Sequence, residues 1–250
     1  MKTNDTSENL IYGRNAVTEA LRSETPIDYI IMTSFSGSLG AICSEAKKRG
    51  IVVKTADSRK LDQMTGNANH QGVCAVGACT SYAAVADILR TAEEKGQPPF
   101  IILCDGIEDP HNLGAILRTA EAAGVHGVIL PKRRSASLTQ TVFKTSAGAA
   151  SWIPVARVGN LATEMISLKK RGIWFFGADM NGAPADRTDF TSPVGLVIGS
   201  EGSGLSAPVR AQCDGIVSLP MFGQVNSLNA SVAAGILMYE VVRQRANRNI

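Results

Sequence analysis

The feature that most constrains the fold is a series of short, uninterrupted apolar segments separated by helix-like segments. Residues 100–104, 127–130, 173–177 and 194–198 are almost entirely apolar. Strands that are apolar on both faces are typical of parallel sheets, because helices cover such sheets above and below. The segments between them have helical periodicity. The C-terminal part of the chain therefore predicts an α/β fold built on a parallel sheet.

A second, smaller α/β module precedes this sheet. Strand patterns at residues 27–32, 51–53 and 73–76 alternate with helix patterns, the first of which Asn15 could cap. A helical stretch then ends at Gly96-Gln97-Pro98-Pro99, and paired prolines after a glycine favour a boundary. We therefore predict a domain at residues 1–78, a linker at 79–98 and a second domain at 99–250.

Composition excludes several classes of protein. The net charge of +3 is compatible with an anionic partner but is far from that of a histone-like surface. The five cysteines form no CxxC pair, and none of the three histidines has zinc-like spacing, which predicts reduced thiols, no metal site and a cytoplasmic protein. Residues 1–9 are polar, without an apolar signal segment, and no apolar run has membrane-spanning length. Trp152 and Trp174 are predicted to pack in the core.

Polar turns follow three of the predicted strands, at residues 105–118, 199–204 and 219–229. Ligands of parallel sheets bind at the carboxyl ends of the strands, so these turns predict a shared site. Glycines at 199, 202 and 204 would let the backbone approach a ligand closely. There is no GxGxxG after the first strand of this domain and no GxxxxGK[ST] in the chain, so neither a dinucleotide site nor a P-loop is supported.

The polar residues of these turns also have ordinary structural explanations. Asn112 and Ser227 could simply cap helices. Arg118 could be a solvated helix residue, and Glu201 could be a plain turn acid. Lys132-Arg133-Arg134 could be a solvated turn or a phosphate contact. The combination favours a site that binds phosphate and orients polar groups, since arginine suits phosphate and no strong nucleophile accompanies it.

Three motifs follow one another in the second predicted domain. The first is Asp109-Pro-His-Asn-Leu-Gly-Ala-Ile-Leu-Arg-Thr-Ala120, and the second is Gly199-Ser-Glu-Gly-Ser-Gly204. The third combines Leu219-Pro-Met221 with Ser227-Leu-Asn-Ala-Ser-Val-Ala233. In this order they resemble the motifs of the SpoU (TrmH-type) RNA 2′-O-ribose methyltransferases. In addition, Ile11-Tyr-Gly-Arg14 and His70-Gln-Gly-Val73 resemble the L30e-like RNA-binding module of the branch that methylates a guanosine ribose in large-subunit rRNA.

The resemblance implies a fold and a cofactor. It implies a small L30e-like N-terminal domain and a parallel-sheet SPOUT methyltransferase domain with a C-terminal trefoil knot, although knots are rare. The family binds S-adenosylmethionine in the knot and forms homodimers through that region. Carried over by motif, the cofactor-binding residues would be Gly199, Leu219 and Leu228, with Ile198 and Gly177 nearby.

The resemblance also implies catalytic roles. Arg118 would bind the phosphate beside the target and help the 2′-hydroxyl to lose its proton. Ser227 and Asn229 would orient groups around that hydroxyl, and Asn112 and Glu201 would hold the active loops. Arg14 in the small module and the cluster Lys132-Arg133-Arg134 are the predicted RNA contacts.

The predicted reaction is methyl transfer from S-adenosylmethionine to a ribose 2′-OH of 23S rRNA, with RNA as partner and neither DNA nor a membrane. The same chemistry on tRNA is an alternative, although tRNA-directed relatives usually lack the small module. A non-catalytic RNA-binding factor for ribosome assembly is a third reading. Ser151 and Ser206-Ala207 depart from the family pattern where RNA contacts are expected, which bears on the target nucleotide.

Overall fold

The computed structural model describes residues 10–23, 25–225 and 227–247. The chain divides into two compact units, one of Met1–Ser81 with Ser137–Thr139 and one of Tyr82–Ala136 with Gln140–Ile250. The polar start predicted at residues 1–9 lies outside the described residues. No helix within the described residues is long and apolar enough to cross a bilayer.

The first unit is a mixed four-stranded sheet with helices packed on it. Its sheet order is β1-β4-β2-β3, in which β2 and β3 are parallel and β4 runs antiparallel to both β1 and β2. Buried apolar side chains from the strands and from the first two helices form its main core. The elements are β1 Leu10–Tyr12, α1 Arg14–Arg22, β2 Ile27–Met32, α2 Gly37–Lys48, β3 Val52–Thr55, α3 Ser58–Thr65 and β4 Val73–Gly77.

Local signals explain the ends of these helices. The side chain of Asp57 accepts a hydrogen bond from Lys60 N at 2.9 Å, so Asp57 caps α3 rather than beginning it. Gly66 ends α3 with φ of 65°, the left-handed conformation that favours glycine. The predicted cap at Asn15 is wrong, because α1 begins one residue earlier and Gly13 takes the cap position.

The second unit is a six-stranded sheet in the order β10-β8-β9-β5-β6-β7, and every adjacent pair is parallel. The parallel sheet predicted from the apolar segments is therefore confirmed. The elements are α4 Val85–Glu94, β5 Phe100–Asp105, α5 Pro110–Ala122, β6 Gly127–Pro131, α6 Gln140–Thr145, β7 Val155–Val158, α7 Leu161–Lys169, β8 Trp174–Pro184, β9 Val194–Gly199, α8 Ala207–Arg210, β10 Gly215–Ser218 and α9 Ala230–Ala246.

Helices cover both faces of this sheet. On one face α4, α7 and α8 pack over a core that includes Ile101, Leu103 and Phe175. On the other face α5 packs against β6, α6 and α9, and α9 also contacts β9. This two-sided burial explains why the strands are apolar at nearly every position.

The predicted linker at 79–98 contains α4, which packs as part of the second unit. Ile88 of α4 is fully buried in the core of this unit. A Cβ on Gly127 would lie 2.5 Å from the Ile88 side chain, so glycine at this strand position lets α4 approach closely. Most of the segment is therefore core structure rather than a free connection.

The prediction that Trp152 and Trp174 pack in the core is wrong. Trp152 follows a short 3₁₀ turn at Ala149–Ser151 and is 81% exposed, and Trp174 is the first residue of β8 and is 54% exposed. Both residues lie at the ends of elements. Apolar character alone does not distinguish such positions from central ones.

Candidate functional site

The carboxyl edge of the six-stranded sheet carries a mixed polar and apolar cavity of about 440 Å³. We call it the apolar cavity after the aliphatic side chains on its wall, which include Ile198, Leu219, Leu228 and Leu237. Glu201 and Ser227 add polar groups to the same wall. Four predicted residues thus meet here from β9, from the end of β10 and from the turn before α9: Ile198, Gly199, Leu219 and Leu228.

The strand β8 contributes a part of this cavity that the sequence did not predict. β10 pairs with Phe176 and Gly177 and then, after a register shift, with Ala183 and Pro184. The intervening residues leave the ladder, and Ala178, Asp179, Met180 and Asn181 line the cavity. The apolar segment that predicted this strand ends at residue 177, whereas β8 extends to Pro184.

Glycine is required where this excursion returns to the ladder. A Cβ on Gly182 would lie 2.5 Å from the backbone of Ile216 and Val217. The sequence Asp179-Met-Asn-Gly182 could have predicted this excursion, since polar residues before a glycine favour an irregular turn.

Gly177 does not line the apolar cavity. A Cβ there would lie 2.5 Å from the side chain of Leu205 and 3.0 Å from Cys213 Sγ. The position is therefore a close-packing position beneath the cavity, next to the lining residue Ala178.

The glycine turn after β9 is closed on itself. Ser200 N donates to Gly204 O at 3.1 Å, and Gly204 N donates to Ser200 O at 2.9 Å. A Cβ on Gly199 would lie 2.3 Å from the carbonyl carbon of Gly204, so a side chain there would force the turn apart. Gly202 has no such neighbour, and a Cβ there would meet open space.

Asn112, Glu201 and Asn229, one residue from each of the three motifs, form a hydrogen-bonded cluster. Asn112 Nδ2 donates to Glu201 Oε1 at 3.1 Å. Asn229 Nδ2 donates to Asn112 Oδ1 at 2.8 Å and to Glu201 Oε1 at 2.5 Å. Asn112 is buried, whereas Glu201 and Asn229 are exposed. The amides therefore fix the Glu201 carboxylate at the edge of the apolar cavity.

Asn229 also caps the final helix. Its Oδ1 accepts hydrogen bonds from Ser231 N at 2.9 Å and Val232 N at 3.3 Å, which is N-cap geometry. The sequence suggested Ser227 as a cap of this helix, but the cap is Asn229 and α9 begins at Ala230. Ser227 is exposed and lines the apolar cavity, so it remains beside the predicted site without capping the helix.

Arg118 lies apart from this cluster on α5. Its side chain is exposed and has no hydrogen-bond or ion-pair partner within the described residues. Its helix neighbours Ala115 and Thr119 line a shallow groove between α5 and α9. The α9 wall of that groove exposes apolar surface at Val232, Ile236 and Tyr239.

The predicted RNA contacts fall in both units. In the first unit, Arg14 Nε donates to Gln71 O at 3.2 Å, and Arg14 N donates to Gln71 Oε1 at 2.9 Å. In the second unit, Arg133 and Arg134 line a further cavity of about 640 Å³, which we call the arginine cavity. Asn112 and Glu201 belong to its wall as well. Lys132 follows β6 but is absent from that wall.

The titratable groups of the second unit argue against thiol chemistry. Burial raises the pKa of Cys104 to about 12 and that of Cys213 to about 11, so both thiols are protonated at neutral pH. The Asn181 N–H, and then Arg210, lower the pKa of Asp179 and keep this cavity residue ionised. Among the described residues there is no cluster of histidine, cysteine and carboxylate groups that could hold a metal ion.

Two family models match the chain. Residues 99–239 match the SpoU rRNA Methylase family. Residues 10–82 match the model described as RNA 2′-O ribose methyltransferase substrate binding.

Relatives of known name and structure extend these matches to nearly the whole chain. A Bacillus subtilis (strain 168) protein named for the TrmH family of tRNA/rRNA methyltransferases is 48% identical over 238 residues, covering 94% of this chain and 95% of the relative. The SpoU methyltransferase AviRb from Streptomyces viridochromogenes, in complex with AdoMet, is 28% identical with a TM-score of 0.61, covering 95% of this chain and 90% of that one. A TrmH/SpoU tRNA modifying enzyme from A. aeolicus is 29% identical with a TM-score of 0.57, but it covers only 61% of this chain and 78% of its own.

Proposed function

The chain belongs to the SpoU rRNA Methylase family, and from that premise we propose that it transfers a methyl group from S-adenosylmethionine to a ribose 2′-hydroxyl of 23S rRNA, at a guanosine. The observation that carries the proposal is the cluster of Asn112, Glu201 and Asn229, because it joins residues far apart in sequence and holds Glu201, which lines the apolar cavity. Such preorganised polar groups beside a ligand-sized cavity suit a reaction that depends on positioning.

The residues that line the apolar cavity suit the chemical groups of S-adenosylmethionine. Leucine and isoleucine side chains offer surface to the adenine and to the methylene groups, and the backbone of the closed turn offers hydrogen bonds. The carboxylates of Asp179 and Glu201 suit a cationic sulfonium. The AdoMet-bound relative supports the same choice of donor. A trefoil knot around this cavity remains part of the proposal.

The chemistry needs an oriented hydroxyl more than a strong base. S-adenosylmethionine, when bound, would supply an electrophilic methyl group; transfer of that methyl to the ribose oxygen would leave S-adenosylhomocysteine, and the hydroxyl proton would pass to water. Ser227 lines the cavity, and Asn229 lies between the lining residues Leu228 and Ala230; both orient the reacting groups, and Asn112 holds the Glu201 carboxylate in place. Arg118 binds the phosphate next to the target and stabilises the developing oxyanion.

The position of Arg118 supports a homodimer. Its guanidinium has no partner among the residues that the structure describes, and the adjacent groove exposes Val232, Ile236 and Tyr239 of α9. A second copy docked on this apolar face would bury it and would lie beside Arg118. We therefore include a dimer through α9, in a cytoplasmic enzyme, in the proposal.

Replacing Arg118 tests the catalytic assignment. Arg118→Ala abolishes methyl transfer while S-adenosylmethionine affinity, measured by isothermal titration, stays within about twofold. The matched control is Arg171→Ala, which removes another exposed arginine of the same unit and leaves turnover unchanged. Full single-turnover activity in the Arg118 variant would refute the role.

The same chemistry on tRNA is the second candidate. The Bacillus subtilis relative is named for both tRNA and rRNA methyltransferases. The A. aeolicus tRNA modifying enzyme covers 61% of this chain, whereas the match at residues 10–82 supports a dedicated substrate-binding domain. Mapping ribose methylation on rRNA and tRNA in cells with and without the protein separates the candidates: loss of one 23S rRNA mark supports the first, and loss of a tRNA mark supports the second.

A further inference from the structure

The two cavities lie side by side along the carboxyl edge of the sheet. The apolar cavity is formed where β10, β8 and β9 end or leave the ladder. The arginine cavity is formed by the turns after β9, β5, β6 and β7, which are consecutive in the sheet. The glycine turn after β9 is therefore common to both.

This shared turn is a wall of both cavities, because Ser200, Glu201, Ser203 and Gly204 line both. Transfer of a group between two bound molecules requires the reacting atoms to approach within about 3.5 Å, so it cannot take place through the backbone of the turn. If the methyl donor occupies the apolar cavity, the acceptor must meet it over the rim of this wall, which the arginine cavity also borders.

The order of the strands places positive charge at a defined distance from this wall. β9 and β6 are separated by β5 alone, so the turns that follow them are about 10 Å apart, which is two strand spacings. Arg133 and Arg134 occupy the turn after β6. A ribose at the wall would therefore leave a flanking phosphate of the same RNA chain within reach of the two guanidinium groups.

Hydrogen bonds fix the turn that carries Arg133 and Arg134, which we call the arginine turn, and both arginine side chains are exposed. Ser135 Oγ donates to Pro131 O at 2.8 Å, and Ala136 N donates to Ile107 O at 2.7 Å, which fixes the turn on both sides. Arg133 and Arg134 are exposed and have no hydrogen-bond or ion-pair partner in the part of the chain that the structure describes.

The backbone of Arg134 carries a second indication of function. Its φ is 54°, in the left-handed region where glycine is favoured. Non-glycine residues in such conformations are costly and are concentrated at functional sites. The backbone conformation does not favour arginine at this position. We therefore attribute the presence of an arginine there to a binding role of its guanidinium group.

The acidic groups of the cavity lie on other turns than the two arginines. Asp105, Glu108 and Asp109 follow β5, and Glu201 follows β9, whereas Arg133 and Arg134 follow β6. Asp105 accepts a hydrogen bond from Ser206 N at 2.7 Å, and Asp109 accepts one from His111 N at 2.9 Å. Beyond the arginine turn, Asn160 caps α7, and the N-terminal residues Leu161 and Ala162 line the cavity. The far end of the cavity thus combines two guanidinium groups with the positive end of a helix dipole.

We propose that the arginine cavity seats the nucleotide that receives the methyl group, with its ribose at the rim of the Glu201 wall. One of its two flanking phosphates lies on Arg133 and Arg134, and the other is the phosphate assigned above to Arg118. This seat rests on the proposed function, because it assigns the acceptor of that reaction. It also assigns Arg133 and Arg134 to substrate binding and leaves donor binding to the opposite side of the glycine turn.

The test compares Arg134→Gly and Arg133→Gln with the control Arg171→Gln in the full-length protein. Arg134→Gly also relieves the left-handed backbone, so its folding is preserved, and its melting temperature should not fall. Each cavity variant should raise the KM for rRNA about tenfold while S-adenosylmethionine affinity stays within twofold. In RNA binding, the slope of log K against log salt should become shallower by about one per arginine removed.

The outcomes distinguish the seat from the reaction. If the wild-type protein methylates RNA but both cavity variants retain its KM and salt slope, as the control does, the seat is refuted and the reaction stands. If S-adenosylmethionine affinity falls together with the RNA affinity, the arginines support the turn rather than the RNA, which also refutes the seat. If the wild-type protein transfers no methyl group to any RNA, the reaction and the seat fail together.

Discussion

Asn229 has two separable roles, and two substitutions separate them. Its Oδ1 caps α9, while its Nδ2 donates to Asn112 and Glu201. Asn229→Asp keeps the capping oxygen, because aspartate is as good an N-cap as asparagine, but it removes the donor and adds a negative charge beside Glu201. Asn229→Ser also keeps a good cap and removes the donor without adding charge.

The expected magnitude follows from the contacts. A hydrogen bond to a charged group contributes about 1.5–3 kcal/mol, so either variant loses on the order of 2 kcal/mol at the cluster. The carboxylates are exposed, so repulsion between them adds only about 1 kcal/mol in Asn229→Asp. If the cluster acts in the transition state, these losses correspond to rates lower by about 30-fold for serine and on the order of 100-fold for aspartate.

The assay is single-turnover methyl transfer at saturating S-adenosylmethionine, with thermal unfolding measured in parallel. Because both variants keep the cap, we expect melting temperatures within a few degrees of the wild type. An aspartate variant with activity within threefold of the wild type would refute the idea that the cluster positions the reacting groups. A large drop in melting temperature that tracks the loss of rate would instead assign the cluster to structure alone.

Three further predictions concern the turn, the dimer face and a buried histidine. Gly199→Ala should weaken S-adenosylmethionine binding by tenfold or more in isothermal titration, because its Cβ would meet the backbone of Gly204 at 2.3 Å, whereas Gly202→Ala in the same turn should leave it unchanged. Ile236→Glu should shift the protein to monomers in analytical ultracentrifugation, because a charge on the exposed face of α9 disfavours its burial in a dimer. His126→Asn should flatten the pH dependence of the free energy of unfolding between pH 7 and 4, measured by urea unfolding. Asparagine can accept the hydrogen bond that Phe100 N donates to His126 Nδ1 at 2.9 Å, but asparagine does not titrate.

The sign of the histidine effect follows from its pKa. Burial, and then Lys95 and Arg245, lower the pKa of His126 to about 4 in the folded state, whereas the unfolded side chain titrates near 6.5. The unfolded state therefore binds the proton first, and stability that is complete above pH 6.5 is lost as the pH falls toward 4, by about 3 kcal/mol. If the free energy of unfolding of His126→Asn falls as steeply with pH as that of the wild type, His126 is not the cause of the pH dependence.

The predictions for Gly199→Ala and Ile236→Glu can be contradicted as directly. Equal S-adenosylmethionine affinity in Gly199→Ala and Gly202→Ala would mean that the closed turn does not shape the donor site. A dimer that persists in Ile236→Glu would place the interface elsewhere.

The parallel sheet could be predicted because two-sided burial leaves a direct trace in sequence. Strands such as β5 and β9 are apolar at nearly every position, and helices pack on both sides of them. The turns at the carboxyl edge could be predicted for the same reason, since they interrupt these runs with glycine and polar residues. Asn112, Glu201 and Asn229 do meet at that edge.

The features that were missed depend on tertiary contacts. The excursion of β8 around Asp179 exists because β10 pairs with β8 on both sides of it, and a pairing register is not written in either strand alone. The start of α9 was misplaced because Ser227 and Asn229 are both good caps, and the choice between them depends on bonds to Asn112 and Glu201. The exposure of Trp152, which follows a short 3₁₀ turn, is likewise not encoded in the apolar character of the residue.

The central claim, methyl transfer to a ribose 2′-hydroxyl, is tested most directly with methyl-labelled S-adenosylmethionine. The full-length protein is incubated with the labelled donor and with rRNA or tRNA, and the RNA is digested to nucleosides and separated. The account predicts label in 2′-O-methylguanosine from 23S rRNA and its absence in the Arg118→Ala reaction. Label in a base-methylated nucleoside, or no label in any RNA, would contradict it.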